Sequence, residues 1–370
     1  MFDIYDSIQT KAYELGLYLF GVTDLSQPGH FSHFENWLSQ KEFGEMSYLE
    51  NPSSRELRKN PNLLMPKAKS IIVIGLAYPH ENFSINNFYG KIAYFAQQPD
   101  YHSAIRNKLK QLLAFIKQIS EKDVKGSIFC DSAPLLEKEI AQRAGLGWIG
   151  KNSLLISSKF GSFMNLGELF LNLELPHSSI KEEDLCGNCH LCLDACPTQC
   201  IQPDRTINAQ KCISYLTIEH KGIIDQLLRT KMNSWLFGCD ICQKVCPWNK
   251  SKIYQNKTSE KVYLNHKRID ERFSNEQFRL IFGNTPLIRI KREGFLRNYA
   301  ISLGNSNSSE AIPDLEFLLD EEDPIIRIYA IWAIGKIGNP LSKNILENKL
   351  IQEKNLDVIT EIKETLTALN

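Results

Sequence analysis

Nine of the ten cysteines of this 370-residue chain lie between residues 186 and 246, and the tenth is Cys130. The stretch Cys186-x-x-Cys189-x-x-Cys192-x-x-x-Cys196-Pro197 has the spacing that gives three thiolates to one 4Fe-4S cubane and sends its fourth, the Cys-Pro cysteine, to a second. Cys239-x-x-Cys242-x-x-x-Cys246-Pro247 repeats the end of that pattern without its opening cysteine. With the Cys-Pro residues crossing in this way, Cys186, Cys189, Cys192 and Cys246 hold the first cluster. Cys196, Cys239 and Cys242 then hold the second, with Cys212 or Cys200 as the fourth ligand. Cys212 is preferred, because Cys200 follows the first Cys-Pro turn where a small or apolar residue would pack equally well, which reads as a buried thiol. A single zinc ion takes four thiolates and gives no reason for the third C-x-x-C step followed by Cys-Pro. Two clusters imply one-electron transfers, so the rest of the chain must hold a redox partner site or a cofactor.

Three stretches before the cysteines also carry residues suited to chemistry. In Cys130-Asp131-Ser132-Ala133-Pro134-Leu135-Leu136-Glu137 an acid sits at the end of an apolar run and before a helix, where capping is its ordinary role. Gly145-Leu146-Gly147-Trp148-Ile149-Gly150-Lys151-Asn152-Ser153 has three glycines that let a backbone approach a large ligand, at the spacing of neither a Walker loop nor a dinucleotide fingerprint. Asp100-Tyr101-His102 is similar to the start of the D-x-H-x-x-G corrinoid motif, but Ile105 stands where its glycine would be. His102 is therefore not assigned to cobalt.

The elements that position these groups follow from periodicity. Ile4, Ile8, Ala12 and Leu15 recur at helical spacing, and Gly16 supplies a stop. Leu17 to Val22 and Ser70 to Tyr78 read as buried strands, Tyr101 to Ser120 as a helix, and Gly126 to Cys130 as a strand. Pro134 to Ala144 reads as a helix ended by Gly145, and Ser153 to Ser157 and Ser162 to Leu175 as further strands. Alternation of helix and strand in the N-terminal part points to an α/β layer structure, and the chain as a whole is expected to be α+β/α/β. With 43% hydrophobic and 23% charged residues the chain is no disordered segment. Its longest apolar runs, such as Ile71 to Tyr78, are too short for a transmembrane helix, which needs about 20 residues. The N-terminus is acidic from Asp3 and lacks a basic leader, so a cytoplasmic location is expected, where crowded cysteines favour metal over disulfides.

Together these stretches resemble the epoxyqueuosine reductases, cobalamin-dependent iron-sulfur enzymes of queuosine tRNA modification. The resemblance rests on Asp100-Tyr101-His102, Asp131 to Glu137, Ala144 to Asn152, both cysteine runs, Cys212-Ile213-Ser214-Tyr215-Leu216-Thr217-Ile218-Glu219 and Gly238-Cys239-Asp240-Ile241-Cys242-Gln243, covering most of residues 50 to 305. It implies a cobalamin-binding α/β domain related to reductive dehalogenases, a ferredoxin-like two-cluster module and, in some members, C-terminal HEAT-like helical repeats. The boundaries expected are 1–176 for the cobalamin domain, completed by parts of 205–240; 177–250 for the ferredoxin-like domain; 251–290 for a basic connecting segment; and 291–370 for the repeats. Asp131 is implied as the proton donor, in an enclosed and largely apolar pocket that keeps its carboxyl protonated. Arg58, Tyr94, Asp131, Leu155, Leu166, Ile213 and Asp240 are implied as corrin contacts, several through backbone, with help from Lys151 to Ser153. Cys200 departs from the small apolar residue more usual in the family. Electrons would pass singly from the clusters to cobalamin and on to the epoxide, which becomes an alkene plus water at the wobble position of a tRNA anticodon.

The C-terminal addition is visible as Arg297-x-Tyr299-Ala300-Ile301, which recurs as Arg327-x-Tyr329-Ala330-Ile331, with Asp323-Pro324 opening the second unit. Net charge is zero because 43 basic and 43 acidic side chains cancel, but they are unevenly placed. From Lys244 to Arg297 there are 13 Lys or Arg against 5 Asp or Glu, and from Asn298 onward 6 against 12. The basic block is a candidate polyanion surface, with Lys291, Arg292 and Arg297 as contacts to a tRNA anticodon stem-loop. A monomer served by an external electron donor, with no membrane association, is expected. The rival readings are a corrinoid iron-sulfur reductase of a small molecule and a non-catalytic electron-transfer subunit.

Overall fold

The computed structural model describes residues 4–80, 90–178, 183–250 and 273–369. Most of the expected basic segment, residues 251–272, lies outside the described residues. The chain divides into two compact units, one within residues 1–81, 100–210 and 240–259, the other within 82–99, 211–239 and 260–370.

The first unit is built on four strands in the order Leu19–Thr23, Ser70–Ala77, Met164–Leu171 and Gly126–Phe129, each antiparallel to its neighbour. Ile72 and Ile74 pack with Ile8 and Ala12 of the Ile4–Glu14 helix and with Ile105 and Leu109 of the Tyr101–Ile119 helix. Ile71 and Val73 pack on the opposite face with Ile140 and Ala141 of the Glu137–Arg143 helix. Burial on both faces gives Ser70–Ala77 the unbroken apolar run usual in parallel sheets. The antiparallel pairing falls on the α+β side of the expected α+β/α/β class; a run buried on both sides carries no sign of strand direction. The helix expected from Pro134 starts only at Glu137. The two short helices of the cysteine region, Leu191–Ala195 and Ile241–Lys244, pack on each other within this unit.

The second unit carries the repeats, with helices Lys291–Ser306, Ile312–Leu318, Pro324–Ile337, Ser342–Gln352 and Leu356–Ala368. Both repeat tyrosines are fully buried. Tyr299 donates to Asp314 Oδ2 at 2.8 Å, whereas Tyr329 accepts from the Ile224 N–H at 2.6 Å and donates to Gly222 O at 3.2 Å. Asp323 caps its helix by accepting from the Ile325 N–H at 2.8 Å. Residues 211–239 belong to this unit. The reason is polar: Arg297 donates to the carbonyls of Leu216 and His220, and Asn298 Nδ2 to those of Thr217 and Leu236, both at 2.8 Å.

A buried ion pair closes the same unit. Arg229 Nη1 lies 3.0 Å from Glu361 Oε1, with side chains 2% and 10% exposed, and the guanidinium covers the Tyr329 ring at 4.8 Å. Glu361→Gln keeps the shape and leaves that cation without a counter-charge. We expect a loss of about 1–3 kcal/mol, read as a lower urea midpoint at unchanged m.

Candidate active site and metal centres

Cys186, Cys189, Cys192 and Cys246 all belong to the first unit. Trp148 Nε1 donates to Cys186 Sγ at 3.5 Å, and Trp148 packs with Ile156, Cys246 and Trp248. Lys151 Nζ pins the loop between the first two cysteines by donating to Gly187 O at 2.7 Å and Cys189 O at 2.8 Å. Burial, and then the charges of Cys186 and Cys246, push the Cys192 thiol up. Burial, followed among the charges by Cys186 and Cys189, does the same to Cys246. These thiols bear on one another's charge, and an iron-sulfur core that takes soft thiolate ligands would offset that repulsion. The donor set therefore fits a 4Fe-4S cluster.

Of the second set, Cys196 and Cys242 belong to the first unit and Cys212 and Cys239 to the second. Cys200 is buried with its sulfur 3.4 Å from Cys196 Sγ, which also accepts from the Cys200 N–H at 3.4 Å. The Cys200 contact, with help from Thr198, holds the Cys196 thiol down at about 5.

Asp131 follows the Gly126–Phe129 strand by two residues and has a left-handed backbone, φ 56°. Its Oδ2 accepts from the Tyr101 hydroxyl at 3.0 Å and lies 3.5 Å from His102 Nε2. The other ring nitrogen of His102 is 2.7 Å from Asp100 Oδ1, so the imidazole stands between two carboxylates. Two expectations are corrected here. Asp131 caps no helix, since the cap position is Leu136. Nor is its side chain enclosed, being 53% exposed in this structure. The Asp131 N–H donates to Glu137 Oε1 at 2.6 Å, and Glu168, opposite Phe129 in the sheet, is fully buried nearby. Tyr101, His102, Glu137 and Glu168 are thus Asp131's surroundings, which sequence reasoning did not assemble. The available signal was Glu168, the one acid in the Met164–Leu171 strand.

The glycine loop has a local explanation. Gly145 follows its helix at φ 80°, and a Cβ on Gly147 would stand 2.1 Å from Ile156 O. Both glycines are accounted for by the chain's own turn and hairpin, without a ligand. Asn152 is different, because its Nδ2 is buried without a partner among the described residues. An unpaired buried donor on this loop fits a ligand fringed with amide carbonyls, as a corrin is. Of the implied corrin contacts, Arg58, Leu155 and Asp240 are buried and Leu166 partly buried in the first unit, whereas Tyr94 and Ile213 are buried in the second. Arg58 lies 5.4 Å over the Phe34 ring and donates to Ser54 O at 3.2 Å.

The three basic residues expected to meet tRNA divide. Lys291 is exposed. Arg292 pairs with Glu321, Nη1 to Oε2 at 2.8 Å, and donates to Phe273 O. Arg297 is 5% exposed, with its guanidinium committed to the carbonyls named above. Both arginines are corrected from phosphate contacts to structural groups. Charge counting registers a guanidinium but not the inward face of its helix, which is buried continuously from Phe295 to Gly304.

A family model described as 4Fe-4S double cluster binding domain matches residues 185–249, one described as epoxyqueuosine reductase QueG, DUF1730, matches 58–132, and one for HEAT repeats matches 293–367. An epoxyqueuosine reductase of Cyclobacterium marinum is 42% identical over 71% of this chain and 85% of its own length. That of Pseudomonas aeruginosa is 36% identical over 90% and 94%. A solved epoxyqueuosine reductase with an epoxyqueuosine-modified tRNA-Tyr stem loop superposes with TM-score 0.85 at 32% identity, covering 99% of this chain and 100% of that one. A Bacillus subtilis structure, described with its catalytic aspartate loop swung out of the active site, gives 0.85 at 31% identity and covers both chains fully.

Proposed function

This chain belongs to the epoxyqueuosine reductase family, and from that we propose a cobalamin-dependent reaction in which Asp131 is the proton donor. The enzyme is an oxidoreductase that converts epoxyqueuosine to queuosine at the tRNA wobble position. Two electrons and two protons turn the epoxide into an alkene and water. Cobalamin, fed by two 4Fe-4S clusters, would supply the electrons at low potential. Arg58, Leu155, Leu166 and Asp240 of the first unit, which we relate to reductive dehalogenases, are proposed to hold it, and Tyr94 and Ile213 are proposed as further contacts. Trp148 and Lys151 fix the loop of the first cluster. Tyr101 and His102 orient the Asp131 carboxyl.

The observation that carries this reading is that carboxyl, presented at a strand end by a left-handed residue and gripped on one oxygen by a phenol. The relative whose aspartate loop is described as catalytic supports it. The substrate complex of another relative favours tRNA over the small-molecule rival. We place the enzyme in the cytoplasm as a monomer served by an external electron donor. The test is anaerobic turnover of an epoxyqueuosine stem-loop by protein of measured corrinoid content. Queuosine formed by corrinoid-free protein would overturn the cofactor assignment.

At the tRNA surface, Lys291→Glu is expected to flatten the slope of log affinity against log salt by about 0.7–0.9 unit. Iron content should not change. Unaltered affinity and slope would remove Lys291 from the interface.

A further inference from the structure

Glu168 is fully buried, and no N–H or O–H donor among the described residues meets its carboxyl, whose one hydrogen-bonding neighbour is the Glu137 carboxyl through a shared proton. The carboxyls facing it are Glu137 and Asp131. An ionised Glu168 would be an uncompensated buried charge beside two others, a costly arrangement that one proton removes. Burial first, and Glu137 next, raise Glu168 well above the usual carboxyl range, while burial and the Asp131 charge push Glu137 up to about 7. Glu137 also accepts the Asp131 backbone N–H at 2.6 Å, so the pair abuts the residue that gives the proton. The other titratable groups around the pair are Cys130, Tyr101 and Lys138, with Arg106 acting on Cys130. Lys138, a cation that acts on Glu137, donates its Nζ to Ser153 O at 2.5 Å.

We propose that Glu168 and Glu137 share a stored proton and reload Asp131 between the two proton deliveries of each turnover. This rests on Asp131 as the donor. The reaction takes up two protons with its two electrons, and Asp131 carries one. The Asp131 O–H bond breaks as its proton goes to the substrate. The proton held by the glutamate pair then passes to the Asp131 carboxylate, leaving one negative charge on the pair. Asp131 delivers this second proton, the epoxide oxygen leaves as water, and the pair is reprotonated from solvent. The electrons come from the external reductant through the clusters. Glu168 and Glu137 act through Asp131, and so are positioning residues for its proton.

The test uses anaerobically purified holoenzyme and Glu168→Gln. Infrared spectra of the wild type should show a protonated-carboxyl C=O band that persists above pH 7 and moves in heavy water. Glu168→Gln should lose that band and about 10²-fold of turnover, with its alkaline limb displaced to lower pH and both clusters retained. An unchanged band in Glu168→Gln, or wild-type turnover and pH profile, would overturn the reservoir. Asp131→Asn separates the two readings: it should keep the band and lose turnover. Full turnover there would overturn the donor and the reservoir with it.

Discussion

Asp131→Asn is expected to keep its iron, sulfide and corrinoid and to lose about 10²–10⁴-fold in turnover, the usual contribution of a general acid. The amide fills the same volume, and its oxygen can still accept from the Tyr101 hydroxyl that now lies 3.0 Å from Oδ2. Its backbone can retain the bond to Glu137 that helps hold φ at 56°. What it cannot do is release a proton as a carboxylic acid does. Anaerobic single-turnover conversion of an epoxyqueuosine stem-loop, beside iron and corrinoid analysis of the same sample, is the measurement. A variant that turns over fully would reduce Asp131 to a residue held by its neighbours without a part in the reaction. Because Asp131 is half-exposed here, loss of turnover with intact cofactors cannot be ascribed to a collapsed core.

What could be read in advance depended on whether a single stretch of chain held the information. The cysteine spacing was legible because thiolate chemistry constrains local geometry, and the 4Fe-4S double-cluster family model matches the same stretch, residues 185–249. The repeat of Arg297 to Ile301 at Arg327 to Ile331 was legible too, since both stretches are helical with their tyrosines fully buried, though with different partners. Strand direction was not, because the side chains of Ile71 to Ile74 are buried whichever face they take. Nor were the surroundings of Asp131, which depend on pairing that sets Phe129 opposite Glu168. Arg292 and Arg297 misled for a related reason. Their charges count equally in a sequence whether they face solvent or, as here, Glu321 and the carbonyls of Leu216 and His220.

Cys212→Ala should take the anaerobically reconstituted chain from about eight irons to about four, whereas Cys200→Ala should leave about eight, because eight thiolates match two cubanes. The argument turns on the sulfur of Cys200, which touches that of Cys196 at 3.4 Å. Each iron of a cubane takes one thiolate, so the ligands diverge to separate corners. A sulfur in contact with a ligand sulfur is not placed to serve a second corner. Cys200 instead sits behind Cys196, where its thiol and backbone N–H both approach that sulfur and stabilise it as a thiolate. Its loss should therefore move the reduction potential of the second cluster downward, since a thiolate with fewer donors around it favours the oxidised core. Iron analysis decides the ligand, and a potentiometric titration of Cys200→Ala decides the role of the thiol behind it. Iron counts with the two variants exchanged would make Cys200 the ligand, and would require Cys196 and Cys200 to move apart from the contact they make here.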